Sequence, residues 1–166
     1  LLTGGRAGLP SYIDLGRFIA SAIPLGRRRP VPPPEGLEIR AGDEIPLDDL
    51  LDFLRAEGPK RQFFPALRRE DFGTPLLRGL WPADFRVAVR SGRIVGAAAA
   101  WDQSAFRQTL VAGYAPALRI ARPALNFALR LAGRRPLPPP GQCLRFFHVA
   151  FLCIRDADPS VLAALL

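Results

Sequence analysis

Proton transfer near neutral pH calls for histidine, and the chain has one, His148, inside the stretch Cys143 to Leu166 that reads CLRFFHVAFLCIRDADPSVLAALL. Tyr114 offers a hydroxyl that could act as an acid, Asp102 and Gln103 offer polar groups beside Trp101, and Cys153 offers a thiol. Each also has a plainer use. By strict alternation His148 shares a strand face with Leu144, Phe146, Ala150, Leu152 and Ile154, where a histidine bonded to backbone serves packing. Tyr114 follows Gly113 and can simply pack, Asp102 and Gln103 suit a turn, and Cys153 has no histidine or basic partner placed beside it by spacing. One histidine, and two cysteines outside any CxxC pair, are too few for a zinc site.

The element that must position these groups is the stretch itself. From Leu144 to Ile154 nearly every residue is apolar, with Phe146, Phe147, Val149, Phe151 and Ile154 supplying the bulk, which predicts a central strand covered from both sides. Arg155-Asp-Ala-Asp-Pro-Ser160 then breaks it. Asp158 suits an N-cap, Pro159 the first helical position, and Val161, Leu162, Leu165 and Leu166 recur at helical spacing. A buried strand feeding a helix makes a natural anion site, because the first amides of a helix are unpaired and its dipole end is positive.

Upstream, Gly36 to Arg40 alternates apolar and polar as a first strand should. Pro46 opens the clearest helix: Asp48 and Asp49 fall in its first turn, Leu47, Leu50, Leu51 and Leu54 form one stripe, and Gly58-Pro59 ends it. Arg61 to Arg69 reads as a second, shorter helix. Phe85 to Arg90 and Arg93 to Ala97, joined by Ser91-Gly92, form a hairpin whose second arm runs on to Trp101. The small residues Gly96 to Ala100 leave room for a helix to pack close. Gln103 to Gly141 interrupts the sheet. Within it Ala117 to Ala132 is a loosely amphipathic, basic helix that Pro123 should kink or split, and the expected role is to cover a hydrophobic surface of its own protein rather than a membrane.

A net charge of +8 would ordinarily suggest nucleic acid or an anionic membrane. Here every positive residue but Lys60 is Arg, and Ala and Pro abound, as codon bias in a GC-rich genome produces. The arginines are spread over the chain without aromatic interleaving, so neither nucleic acid nor membrane is the expected partner. Cys143 and Cys153 would stand about 33 Å apart along a continuous strand, so both read as free thiols and a reducing cytoplasm is the expected compartment. With no Met, a start on Leu1-Leu2 and an end on Leu165-Leu166, the sequence reads as an excerpt of a longer protein. Arg27 to Glu35, rich in Arg and Pro, reads as a linker, and residues 1–26, with short extended segments around Gly16, read as the end of something upstream.

Three stretches carry a resemblance: Gly36-Leu-Glu-Ile-Arg-Ala-Gly-Asp43 leading into the Pro46 helix, the pair Phe85-Arg-Val-Ala-Val-Arg-Ser-Gly-Arg-Ile-Val-Gly96, and Leu152-Cys-Ile154 entering a turn and helix. The order strand, helix, helix, hairpin, insertion, strand, turn and helix resembles the GNAT superfamily of acyl-CoA-dependent N-acetyltransferases, over residues 36–166. Ala100-Trp-Asp-Gln-Ser-Ala-Phe-Arg-Gln-Thr109 and Gly113-Tyr114 look like bacterial proteins with two such modules in tandem. That likeness implies a second, C-terminally incomplete module, preceded by the tail of a first.

The fold so implied is α/β (α+β), a mostly antiparallel sheet flanked by helices with a helical insertion before the central strand. The implied function is transfer of an acetyl group from acetyl-CoA to an amine of a small molecule or peptide. The implied cofactor-binding residues are Leu152, Cys153 and Ile154 along the pantetheine arm and Arg155 and Ser160 at the pyrophosphate. His148 would be the base for the ammonium and Tyr114 the acid for the thiolate. One departure stands out. The family's Gln/Arg-x-x-Gly-x-Gly/Ala loop becomes a turn with no glycine, and Asp156 and Asp158 put negative charge where pyrophosphate would sit. The alternative is a catalytically degenerate module with a scaffolding or ligand-sensing role.

Overall fold

The computed structural model describes residues 32–61 and 63–166. The predicted upstream tail over 1–26, and the start of the predicted linker, lie outside them. The elements in chain order are β1 (Leu37–Ala41), α1 (Leu47–Glu57), β2 (Phe85–Arg90), β3 (Arg93–Trp101), α2 (Pro116–Leu131), β4 (His148–Ile154) and α3 (Pro159–Leu165). The fold is mixed α+β: a four-stranded sheet in the order β1-β2-β3-β4, every pair antiparallel.

The hairpin forms as its turn chemistry demands. Ser91 and Gly92 both have positive φ, 50° and 73°, as a two-residue turn matched to the twist of its strands requires. Alternation along the strands then divides the core in two. On one face Phe85, Val87, Val89, Ala97, Ala99, Phe151 and Cys153 pack against Leu50, Leu51, Phe53 and Leu54 of α1. On the other, Leu37, Ala88 and Ile154 pack against Val161 of α3. The small arm of β3 does admit a helix: a Cβ at Gly96 would stand 2.6 Å from Val161 Cγ1 and 3.1 Å from Leu165 Cδ1, so the missing side chain lets α3 lie close.

Four expectations need correction. The helix predicted over Arg61 to Arg69 does not form among the described residues there, where Pro65 supplies no amide and Phe63 is left-handed (φ 60°); a short 3-10 turn, Arg69–Asp71, comes next. The strand predicted from Leu144 begins only at His148, which pairs with Trp101, the last residue of β3. Beyond Trp101 the chain turns away as Asp102 Oδ1 accepts from the Ser104 amide, so β3 offers Leu144 to Phe147 no partner; the Leu144 amide instead donates to the Thr109 carbonyl at 2.8 Å beside an isolated Leu110–Cys143 bridge, and Leu144, Phe146 and Phe147 stay exposed.

The predicted central strand is, among the described residues, an edge strand: β4 pairs with β3 alone. Finally, α2 runs unbroken through Pro123 and does not cover the sheet. No α2 residue is buried, and its inner side meets the returning segment Pro136–Pro140, with Arg122 and Asn126 bonded to Leu137.

Candidate functional site

β4 does not alternate regularly, and that changes which side chains meet. Ala99 pairs with Ala150 and Ala97 with Cys153, so Phe151 and Leu152 together oppose the single residue Ala98. Phe151 takes φ 51° to make this bulge, a conformation costly for a side chain with a ring. Aromatic packing holds it there, with ring centroids 6.0 Å from Phe64, 5.8 Å from Phe85 and 6.5 Å from Trp101.

The bulge reverses the parity of the strand. His148, opposite Trp101, and Ala150, opposite Ala99, therefore lie on the α1 face with Cys153, not on the face of Leu152 and Ile154 as strict alternation has it.

His148 itself is half-buried at the start of β4. Its ring meets Phe146 edge-on at 5.2 Å, and its Nε2 is enclosed with no hydrogen-bond partner, so the predicted backbone bond is absent at that nitrogen. A narrow cleft lined by Gln103, Ser104, Arg107, Leu144, Phe146 and His148 opens beside it. Tyr114 is not part of that cleft. Its hydroxyl donates to the Pro138 carbonyl at 2.5 Å and the Arg122 guanidinium lies 5.6 Å over its ring, so it ties α2's entry to the returning segment. Of the two residues predicted to share acid–base work, only His148 lines that cleft. The larger cavity, about 230 Å³, lies elsewhere, lined by Gly73, Thr74, Pro75, Leu77, Arg78, Gly79 and Trp81.

Where β4 ends, Arg155 meets a charged group of α1 that the sequence reading did not single out. Glu57, the last residue of α1, is only 6% exposed. It accepts from Lys60 Nζ at 2.7 Å and from Arg155 Nε at 3.4 Å, and Arg61 Nη1 donates to the carbonyl of Leu152. The Lys60 ammonium, chiefly, and then Arg155 hold the Glu57 carboxyl below its ordinary value despite the opposing effect of burial. Desolvation pushes the buried Cys153 thiol up, which makes it a poor nucleophile. The missed signal was spacing: Leu50, Leu54 and Glu57 fall three and four apart, so the stripe that buries α1's leucines also buries this carboxylate.

The turn after β4 is already occupied by the chain's own groups. Asp156 and Ala157 are both left-handed, φ 55° and 50°, without a glycine between them. Asp158 Oδ1 accepts from the Ser160 amide at 2.8 Å and the Ser160 hydroxyl at 2.6 Å, and Asp158 Oδ2 accepts from Arg90 Nη1 at 3.2 Å. These bonds, those to Ser160 foremost, hold the Asp158 carboxyl below its ordinary value. Of the residues implied for acyl-CoA, Ser160 is therefore bonded to Asp158 and Arg155 to Glu57. Cys153 and Ile154 are buried in the two cores, and Leu152 presents a carbonyl already met by Arg61. The Leu152 carbonyl on β4 is thus taken, and the turn as it stands does not fit a pyrophosphate. Set against family models, curated proteins and solved structures, the chain matches none of them.

Proposed function

We propose that residues 36–166 form a GNAT-like module serving acyl-CoA-dependent N-acetylation, transfer of an acetyl group from acetyl-CoA to an amine. The observation that carries this reading is the element order, an antiparallel β1-β2-β3-β4 sheet whose bulged last strand runs directly into α3. Among the described residues no strand pairs with β4 on its far side from β3, and with Arg61 on the Leu152 carbonyl it is the remaining backbone groups beside the bulge that would receive an extended amide-bearing arm. His148 lies on the α1 face of the same strand with an unpartnered Nε2, which supports its assignment as the proton acceptor. The Tyr114 hydroxyl donates to the Pro138 carbonyl within the insertion, which weighs against the acid's role assigned to it. Titration calorimetry with acetyl-CoA tests the reading, and saturable one-to-one binding is the expected result.

A second reading is favoured by a specific observation, the self-capped turn. If Asp158 and the Glu57–Arg155 pair permanently replace the phosphate, the module is a scaffold beside another that does the chemistry. It then gives no heat with acetyl-CoA, even when Asp158 is neutralised.

A further inference from the structure

The insertion between β3 and β4 presents a surface the sheet does not use. Ile120, Phe127 and Leu131 of α2 are 79%, 64% and 75% exposed, and at 100° per residue they fall on one line along the helix. The opposite side, with Leu118, Arg122, Asn126 and Leu129 half-buried, faces the returning segment: Asn126 Nδ2 donates to the Leu137 carbonyl at 3.2 Å, and the Leu137 amide donates to Asn126 Oδ1 at 2.7 Å. The helix is thus held on one side and bare on the other.

Charge identifies what the bare side suits. Between Gln103 and Ile154 the chain has seven arginines and not one Asp, Glu or Lys, so this segment holds +7 of the net +8. Arg119 and Arg130 are exposed on the flank of the apolar line. A second copy would bring like charge against like. Residues 1–31, with five arginines against Asp14, would do the same.

We infer that α2 is an interfacial helix, docking this protein on an anionic phospholipid surface with Ile120, Phe127 and Leu131 among the acyl chains and Arg119 and Arg130 at the headgroups. No helix of the described residues is long and apolar enough to cross a membrane, and α2 lies in the interface plane instead. Among the described residues α2 has no buried residue, so the expectation that it covers its own protein is not met, and the proposal departs from the expectation that membrane is no partner.

The test is co-sedimentation of the full chain with vesicles of phosphatidylcholine alone or rich in phosphatidylglycerol. The expected result is binding to the anionic vesicles only, weakened about tenfold or more in I120S/F127S/L131S and in R119E/R130E, and falling with added salt. Because these side chains are exposed, thermal unfolding of both variants should match the parent, which separates lost docking from lost folding. The inference is overturned by absence of binding to either vesicle, by equal binding to both, or by undiminished binding of the serine variant. It is equally overturned by a dimer that the serine variant dissolves, or by an oligonucleotide displacing the protein from the vesicles.

Discussion

Arg155 reaches back from the end of β4 to Glu57 at the end of α1, placing its Nε 3.4 Å from Oε1 and its guanidinium carbon 5.6 Å from the centre of the Phe53 ring. This pair joins the strand that defines the proposed site to the helix that backs it. With Lys60 on the other oxygen, Glu57 is a nearly buried carboxylate whose partners are themselves partly in water. Replacing it by Gln keeps the shape and loses the charge. The expected cost is about 1–2 kcal/mol, below the range for a fully buried pair because both cations stay partly solvated, and urea unfolding at neutral pH measures it.

The same pairing sets an acid limb. Glu57 and Asp158 are held below their ordinary values of 4.5 and 3.8, so the folded state binds protons less readily than the unfolded one. Their contribution is therefore complete above those values and is lost as pH falls through the lower folded-state values. Unfolding followed against pH should show stability declining below about 4.5, and E57Q should show a shallower decline over that range.

The two thiols should differ sharply. Cys143 is exposed, whereas Cys153 is fully buried with its thiol pushed up by desolvation. A thiol reagent at neutral pH should modify one cysteine in the native protein and two in denaturant, with mass spectrometry placing the native adduct on Cys143.

Two glycine substitutions should act in opposite directions. Gly96→Ala drives a methyl to within 2.6 Å of Val161 and pushes α3 off the sheet, at an expected cost of about 1–3 kcal/mol. Ala157→Gly relieves a left-handed alanine and should gain about 0.5–1 kcal/mol. Thermal and urea unfolding of the two variants check both signs.

Local patterns made much of this fold legible. The Leu47-Leu50-Leu51-Leu54 stripe, the Ser91-Gly92 turn and the Asp158-Pro159 helix start each specify their element through contacts a few residues apart, and all three form. What failed depended on distant partners. Leu144 to Phe147 read as strand because all but Arg145 are apolar, but a strand needs a ladder, and β3 ends at Trp101. The face of His148 was misread because a bulge is a tertiary feature: nothing in Phe151-Leu152 announces that two residues will oppose Ala98. Glu57 was legible from its place on the α1 stripe and Lys60 from its place three residues on, whereas the other partner, Arg155, comes from 98 residues further along the chain. The concentration of charge in the insertion was legible too, had missing carboxylates been counted as carefully as arginines.

The most direct test of the acyl-CoA reading is calorimetric titration of acetyl-CoA into the protein and into Asp158→Asn. Asparagine can still cap α3 while removing the charge that opposes a pyrophosphate. The account predicts saturable binding by the parent chain, tightened about fivefold in the variant by loss of one nearby negative charge. No heat from either protein would contradict it and leave the module a scaffold.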